Sequence, residues 1–126
     1  MLKSVSLKDF RNYESREFVF EDGVNVIYGH NASGKTNLLE AVGLLATGES
    51  FKAQRTEEMI RFGLEVGRVV GKITKGHEVD DLEVMVTTGL VGGVRTLKKK
   101  YLVDGASKRK KDYQGQFAVS IFRPED

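Results

Sequence analysis

Gly29-His30-Asn31-Ala32-Ser33-Gly34-Lys35-Thr36 fits the pattern G-x-x-x-x-G-K-S/T with nothing inserted or missing. The two glycines allow backbone torsions that a Cβ would oppose, so successive N–H groups of the loop turn inward around an anionic phosphate. Lys35 supplies a point charge for the β- and γ-phosphates, and the Thr36 hydroxyl supplies one ligand of a Mg²⁺ ion that keeps most of its waters. A helix opening near Lys35 aims its unpaired N–H groups and positive dipole end at the same phosphates. These residue types in this order predict binding of a nucleotide polyphosphate with Mg²⁺.

The flanks supply the context that the loop demands. Val24-Asn25-Val26-Ile27-Tyr28, just before it, is a short β-rich run suited to a buried parallel strand. After it, Leu38, Leu39, Val42, Leu45 and Ala46 recur at helical spacing, which gives the order strand, glycine loop, helix.

The chain has 126 residues, enough for a real core but few for a complete nucleotide hydrolase. Hydrophobic residues at 40% and charged residues at 30% describe a soluble globular protein, and a net charge of +2 is too small to point to a partner by itself. Zero cysteine rules out disulfides, thiolate metal sites and a cysteine nucleophile within the sequence, and suits a reducing cytoplasm. His30, at a free position of the loop, and His77 are isolated and read as solvent-facing rather than as metal ligands. Neither a secretory signal nor a run near the ~20 apolar residues of a membrane span is present, so the expectation is a cytoplasmic protein with no membrane partner.

Along the chain, Val5 and Leu7 alternate with Ser4, Ser6 and Lys8 as a first strand. Phe10-Arg11-Asn12-Tyr13 interrupts the alternation, and Phe18 and Phe20 resume it on a second strand ending at Glu21-Asp22-Gly23. A short helix is expected from Thr56 to Arg61, with Thr56 as N-cap and Glu57 and Glu58 in its first turn. Beyond Gly63 the period changes to two, and Val66–Thr74, Leu82–Thr88, Arg95–Val103 and Phe117–Phe122 read as strands. Asp104-Gly105 is a short hairpin signal. The chain thus divides into strands, phosphate loop and helices over residues 1–63 and an antiparallel β meander over residues 64–126.

Lys98, Lys99, Lys100, Lys108, Arg109, Lys110 and Lys111 gather in that meander, with Tyr101 and Tyr113 nearby. Pairing about Asp104-Gly105 would lay the two clusters side by side, up to seven cations on one ribbon. Two readings stand: a patch that neutralises DNA phosphates without regard to sequence, or a solvated edge strand guarded by lysines. Strand alternation sets Lys99 on the face opposite to Lys98 and Lys100.

Three stretches carry a family resemblance: Leu7-Lys8-Asp9-Phe10-Arg11-Asn12-Tyr13, Gly23 to Gly29, and Asn31 to Ala41, which includes Thr36-Asn37-Leu38-Leu39-Glu40-Ala41. Together they resemble the opening of the RecF family, bacterial recombination and repair ATPases related to Rad50 and the SMC proteins. Gly48-Glu49-Ser50-Phe51-Lys52 and Phe122-Arg123-Pro124-Glu125-Asp126 are similar to further segments of that family, so the resemblance runs over nearly the whole chain. It implies an α/β fold, the amino-terminal part of an ATP-binding-cassette P-loop ATPase domain with an antiparallel β meander. It implies that Gly29 through Thr36, with Asn37, wrap ATP, and that Arg11 and Asn12 lie near the nucleotide. For Arg11 a charge-assisted phosphate contact and a solvated turn are both open.

Hydrolysis further requires a carboxylate that holds Mg²⁺ through water and charge donated across a dimer interface. In this family an acidic strand end and a Ser-Gly signature supply them far downstream. Neither is found in this sequence, since Val84-Met85-Val86 leads into Thr87-Thr88. The expectation is the amino-terminal portion of a longer protein, whose parent the resemblance makes an ATP-dependent homodimer that binds single-stranded or gapped DNA and promotes RecA loading with RecO and RecR. A nucleotide-binding module without turnover, or another Rad50-, SMC- or phage-defence-type ATPase, are the alternatives.

Overall fold

The computed structural model describes residues 1–20 and 32–116, with side chains described in the second span from residue 36 onward. The strand expected at Val24–Tyr28, the loop residues Gly29, His30 and Asn31, and the strand expected at Phe117–Phe122 lie outside the described residues.

Six strands form one antiparallel sheet in the order β2-β1-β3-β4-β7-β8. Its elements are β1 (Leu2–Phe10), β2 (Tyr13–Val19), β3 (Val66–Lys75), β4 (Glu78–Thr87), β7 (Lys99–Val103) and β8 (Ala106–Lys108). A separate two-stranded ribbon, β5 (Leu90–Val91) with β6 (Val94–Arg95), leaves the sheet between β4 and β7. The period-two pattern has a direct outcome in the register. Val5 and Leu7 on β1 lie opposite Gly71 and Val69 on β3, and Val69 lies opposite Val84 on β4, so one face carries the apolar set. Residues before and after position 63 share this sheet through the β1–β3 pairing.

Helix α1 (Ala32–Thr47) packs on that face. From Leu38 to Ala46 every described residue except Leu39 is buried, and even Gly43 faces protein, so α1 is a core helix rather than a surface one with a single apolar stripe. Its approach to the sheet is close: a Cβ on Gly71 would lie 2.1 Å from Leu45 Cδ2. The glycine in the middle of β3 is therefore where the helix lies against the strand.

A buried helix must have its terminal carbonyls satisfied within the protein. Gly48, at φ 83°, ends α1 by donating its N–H to the Leu44 carbonyl. The Tyr101 hydroxyl donates to the Gly48 carbonyl at 2.9 Å, the Tyr113 hydroxyl to the Leu45 carbonyl at 2.6 Å and the Gln114 amide to the Thr47 carbonyl at 2.7 Å. Tyr113 is delivered by a four-residue helix, α2 (Lys110–Tyr113), that the sequence pattern does not announce. The two tyrosine rings stack at a tilt with centroids 5.2 Å apart.

Three expectations are corrected. Residues Thr56–Met59 form a 3-10 turn whose N-cap position is Arg55, with no side-chain cap bond, so Thr56 is its first helical residue rather than its cap. The stretch Arg95–Val103 is not one strand: it breaks at residues 96–98, where Thr87 N–H bonds to the Lys98 carbonyl and the Thr87 hydroxyl to the Leu97 carbonyl. Strand β4 begins earlier than its apolar run, at Glu78, because pairing with β3 continues down to Lys75 opposite Glu78 whatever the side chains.

Burial, and then the Glu49 charge, push the Tyr101 hydroxyl up from 10.0 to about 12. Burial, and then Tyr101, move Tyr113 upward as well. Above pH 10 the unfolded chain ionises these phenols before the folded one does, so stability is lost as pH rises from about 10 toward 12. Denaturant midpoints measured over that range should fall, and should fall less in the Tyr101→Phe variant; parallel curves for the two proteins would contradict the linkage.

Candidate nucleotide site

The turn that leaves β1 is bent against steric preference. Asp9 and Arg11 hold φ values of 51° and 53°, the left-handed region that costs a non-glycine residue of order 1–3 kcal/mol. Several contacts hold it there. Arg11 N–H donates to the Met59 carbonyl at 2.9 Å, Arg61 N–H donates to the Asp9 carbonyl at 2.8 Å, and Phe10, fully buried, forms a bridge with Ile60.

The Arg11 side chain reaches α1. Its Nε donates to Glu40 Oε1 at 2.8 Å and its Nη2 to Glu40 Oε2 at 2.7 Å, a bidentate pair in which the carboxylate is 0% exposed and the arginine side chain 19%. The Ser50 hydroxyl donates to Glu40 Oε2 at 2.6 Å, while its oxygen accepts from the N–H groups of Lys52 and Ala53. One residue on, Asn12 Oδ1 accepts from Asn37 Nδ2 at 3.1 Å, and Asn37 Oδ1 accepts from Lys52 Nζ at 2.6 Å. Desolvation lowers the Lys52 pKa, Glu40 opposes that shift and Arg11 adds to it.

Arg11, Asn12, Asn37 and Lys52 line an open groove of about 620 Å³, with Arg61 and Phe62 also on its walls. The Phe62 side chain is fully exposed there. Three residues expected from the sequence to lie near nucleotide, Arg11, Asn12 and Asn37, are thus brought together, from segments far apart in the chain. Gly29, His30 and Asn31 lie outside the described residues, as do the side chains of Ala32, Ser33 and Lys35; α1 begins at Ala32, and Thr36 is half-buried in its second turn. Sequence reasoning assigned no role to Glu40, Ser50 or Lys52. The available signal was an acid in the middle of the apolar run Leu38-Leu39-Glu40-Ala41-Val42, since a buried carboxylate requires a partner.

A polyphosphate such as that of ATP suits these residues: a 16-residue helix opens directly out of the phosphate-loop sequence, and the adjoining groove is lined by Arg11, Lys52 and Arg61 together with Glu57 and Glu58. Among the described residues no group of three or more His, Cys, Asp or Glu is placed to hold a metal ion, and no helix is long and apolar enough to cross a membrane.

Residues 1–125 match the model of the RecF/RecN/SMC N terminal domain. The chain belongs to that family. It is 38% identical over 125 residues to the DNA replication and repair protein RecF of Bacillus cereus, and 35% identical to that of Bacillus cytotoxicus. Each alignment covers 99% of this chain and 32% of the relative, so the chain spans about a third of the length of the curated relatives it matches. A solved structure of the recombination mediator protein RecF with ATPrS, in the RecFOR pathway, superposes with a TM-score of 0.83 at 33% identity, over 99% of this chain and 32% of that one. The SMC head domain from Thermotoga maritima matches at 0.70 and 23% identity, over 93% of this chain and 42% of that one, a likeness of fold. The fold is accordingly α/β, the amino-terminal part of an ATP-binding-cassette P-loop domain with its antiparallel meander.

In this family member the basic residues of the meander do not form one ribbon. Asp104 and Gly105, at φ 51° and 80°, make the two-residue turn between β7 and β8, but β8 ends at Lys108 and the chain turns into α2. Lys99 donates to Glu49 at 2.7 Å, Lys110 pairs with the same carboxylate, Lys98 pairs with Glu57 at 3.0 Å and Arg109 with Asp112 at 3.1 Å. Lys100, Lys108 and Lys111 make no ion pair with a described residue. Lys99, on the α1 face beside Val86, and Lys100, on the other face beside Met85, point apart as the alternation requires.

The hydrogen bond from Lys110, then that from Lys99, holds the Glu49 carboxyl below its usual 4.5. A depressed carboxylate contributes stability above 4.5 that is lost as pH falls through its lower folded-state value. The acid limb of unfolding should therefore be shallower in Glu49→Gln than in the parent below pH 4.5, and superimposable limbs would show that the shared carboxylate adds nothing.

Proposed function

We propose that this chain is the ATP-gripping part of a RecF-like DNA replication and recombinational repair protein, an ATPase that binds DNA and promotes RecA loading at gaps. The observation that carries this reading is the juxtaposition of the phosphate-loop sequence, continuous with α1, with the groove lined by Arg11, Asn12 and Asn37, in a fold that superposes on RecF bound to ATP with a TM-score of 0.82. In this reading the backbone of Gly29 through Lys35 surrounds the phosphates, and Lys35 neutralises their charge. Thr36 gives its hydroxyl to Mg²⁺. The remaining length of the protein supplies the acidic strand end and the signature that closes on a second copy's nucleotide, so that ATP drives homodimerisation; RecO and RecR act with it on DNA. The names of its relatives and the RecFOR pathway of its structural neighbours support this assignment.

For DNA, the cations that pair with no described residue are the ones available to phosphates. Lys100, Lys108 and Lys111 carry that role ahead of Lys98, Arg109 and Lys110, which hold local acids. An ion pair must be given up before its cation can neutralise a phosphate, whereas a solvated lysine need only release counterions.

Two measurements test the proposal. Lys35→Ala should abolish binding of a fluorescent ATP analogue with Mg²⁺ while leaving the circular dichroism spectrum unchanged; retained affinity would remove the phosphate-loop assignment. In titrations of duplex DNA against salt, changing Lys100, Lys108 and Lys111 together to Gln should flatten the slope of log K on log salt by about 2.7, three contacts at about 0.9 each. An unaltered slope would take the meander out of the DNA surface.

A further inference from the structure

The turn at residues 9–12 and the loop at residues 50–53 meet over one buried group that does not itself line the groove. Glu40 is fully buried and accepts bonds from Arg11 Nε at 2.8 Å, Arg11 Nη2 at 2.7 Å and the Ser50 hydroxyl at 2.6 Å. It lies eight residues after the first residue of α1, about 12 Å along the axis at 1.5 Å per residue, inboard of the end that faces phosphate. A carboxylate there does not repel the ligand from close range.

We propose that Glu40 is a positioning residue for nucleotide binding, one that fixes Arg11 and, through it, the wall of the groove. This rests on the nucleotide reading above. The guanidinium carries five N–H donors in a rigid plane. Glu40 takes two of them along one edge, so the plane of the guanidinium that lines the groove is fixed. The same pair anchors the side chain of a residue whose backbone sits at φ 53°, and the next residue, Asn12, then meets Asn37 on the phosphate-loop helix. On its other side Glu40 holds Ser50, whose oxygen accepts from the backbone of Lys52, another cation of the groove. One carboxylate thereby holds Arg11 directly and the loop that carries Lys52 through Ser50, two of the three cations that line the groove. Only a carboxylate can do this. An amide of the same shape presents an NH₂ group to the guanidinium or the hydroxyl and loses at least one of the three bonds.

The test compares the parent chain with Glu40→Gln, Arg11→Lys and the double variant, titrated with a fluorescent ATP analogue and Mg²⁺ at a temperature where circular dichroism shows each fully folded. Each single variant should weaken binding by about tenfold or more, and the double variant should be no weaker than the worse single one, because both changes break the same unit. A lower melting temperature with unchanged affinity in the folded state would overturn the proposal, leaving Glu40 as a purely stabilising residue. If Glu40→Gln does not fold, Arg11→Lys decides: full affinity there overturns it too. Failure of the parent chain itself to bind Mg-ATP would bring down the nucleotide reading and this proposal together, whereas binding by the parent and equal binding by both single variants removes the positioning role alone.

Discussion

A helix buried on nearly every side has terminal carbonyls that must be satisfied within the protein. The carbonyl end of α1 is closed by protein, with the Tyr101 and Tyr113 hydroxyls, the Gln114 amide and the Gly48 N–H each meeting a carbonyl of the last turns. The amide end continues from the phosphate-loop sequence, and the proposed nucleotide would meet its N–H groups. Much of the rest follows from closing the carbonyl end. The meander must run past β4 to bring Tyr101 to the helix end, and α2 exists at the place where Tyr113 is needed. The sheet contributes Gly71, where a larger residue would meet Leu45.

At the other end of the molecule the ordering force is charge. Burying a carboxylate is unfavourable by several kcal/mol unless it is paired and its lone pairs are used, and removal of one partner from such a pair typically costs about 3–5 kcal/mol. Glu40 has both conditions met by Arg11 and Ser50. Buried ion pairs are often no more stabilising than apolar residues of the same volume, but this one has a directional consequence that an apolar contact lacks. It specifies where the Arg11 plane lies, and it ties the strand-end turn and the 50–53 loop to the phosphate-loop helix. The left-handed backbone at Asp9 and Arg11 is tolerated because backbone bonds to Met59 and from Arg61 over-determine it.

The basic segment shows how composition misleads without geometry. Seven cations in two runs suggest a single positive surface, yet acids distant in sequence neutralise several: Glu49 lies 50 residues from Lys99 and 61 from Lys110, and Glu57 lies 41 from Lys98. The cations without an acidic partner among the described residues are a smaller set, Lys100, Lys108 and Lys111.

The sequence by itself determined the helix that follows the G-x-x-x-x-G-K-T pattern, the strand from Val66, the Asp104-Gly105 turn and the family. Each of these is written in local chemistry: fixed spacings of glycine and lysine, a period of two, a turn that needs positive φ. It left undecided what depends on partners far along the chain. That the first strand joins the meander in one sheet, that Arg11 turns to a buried acid rather than to solvent, that Thr56 begins a 3-10 turn instead of capping a helix, and that Tyr113 arrives on a helix of four residues are all settled by contacts between distant segments. Local propensity carries no term for such contacts, because the stabilisation they provide exists only once the sheet and α1 have brought those segments together.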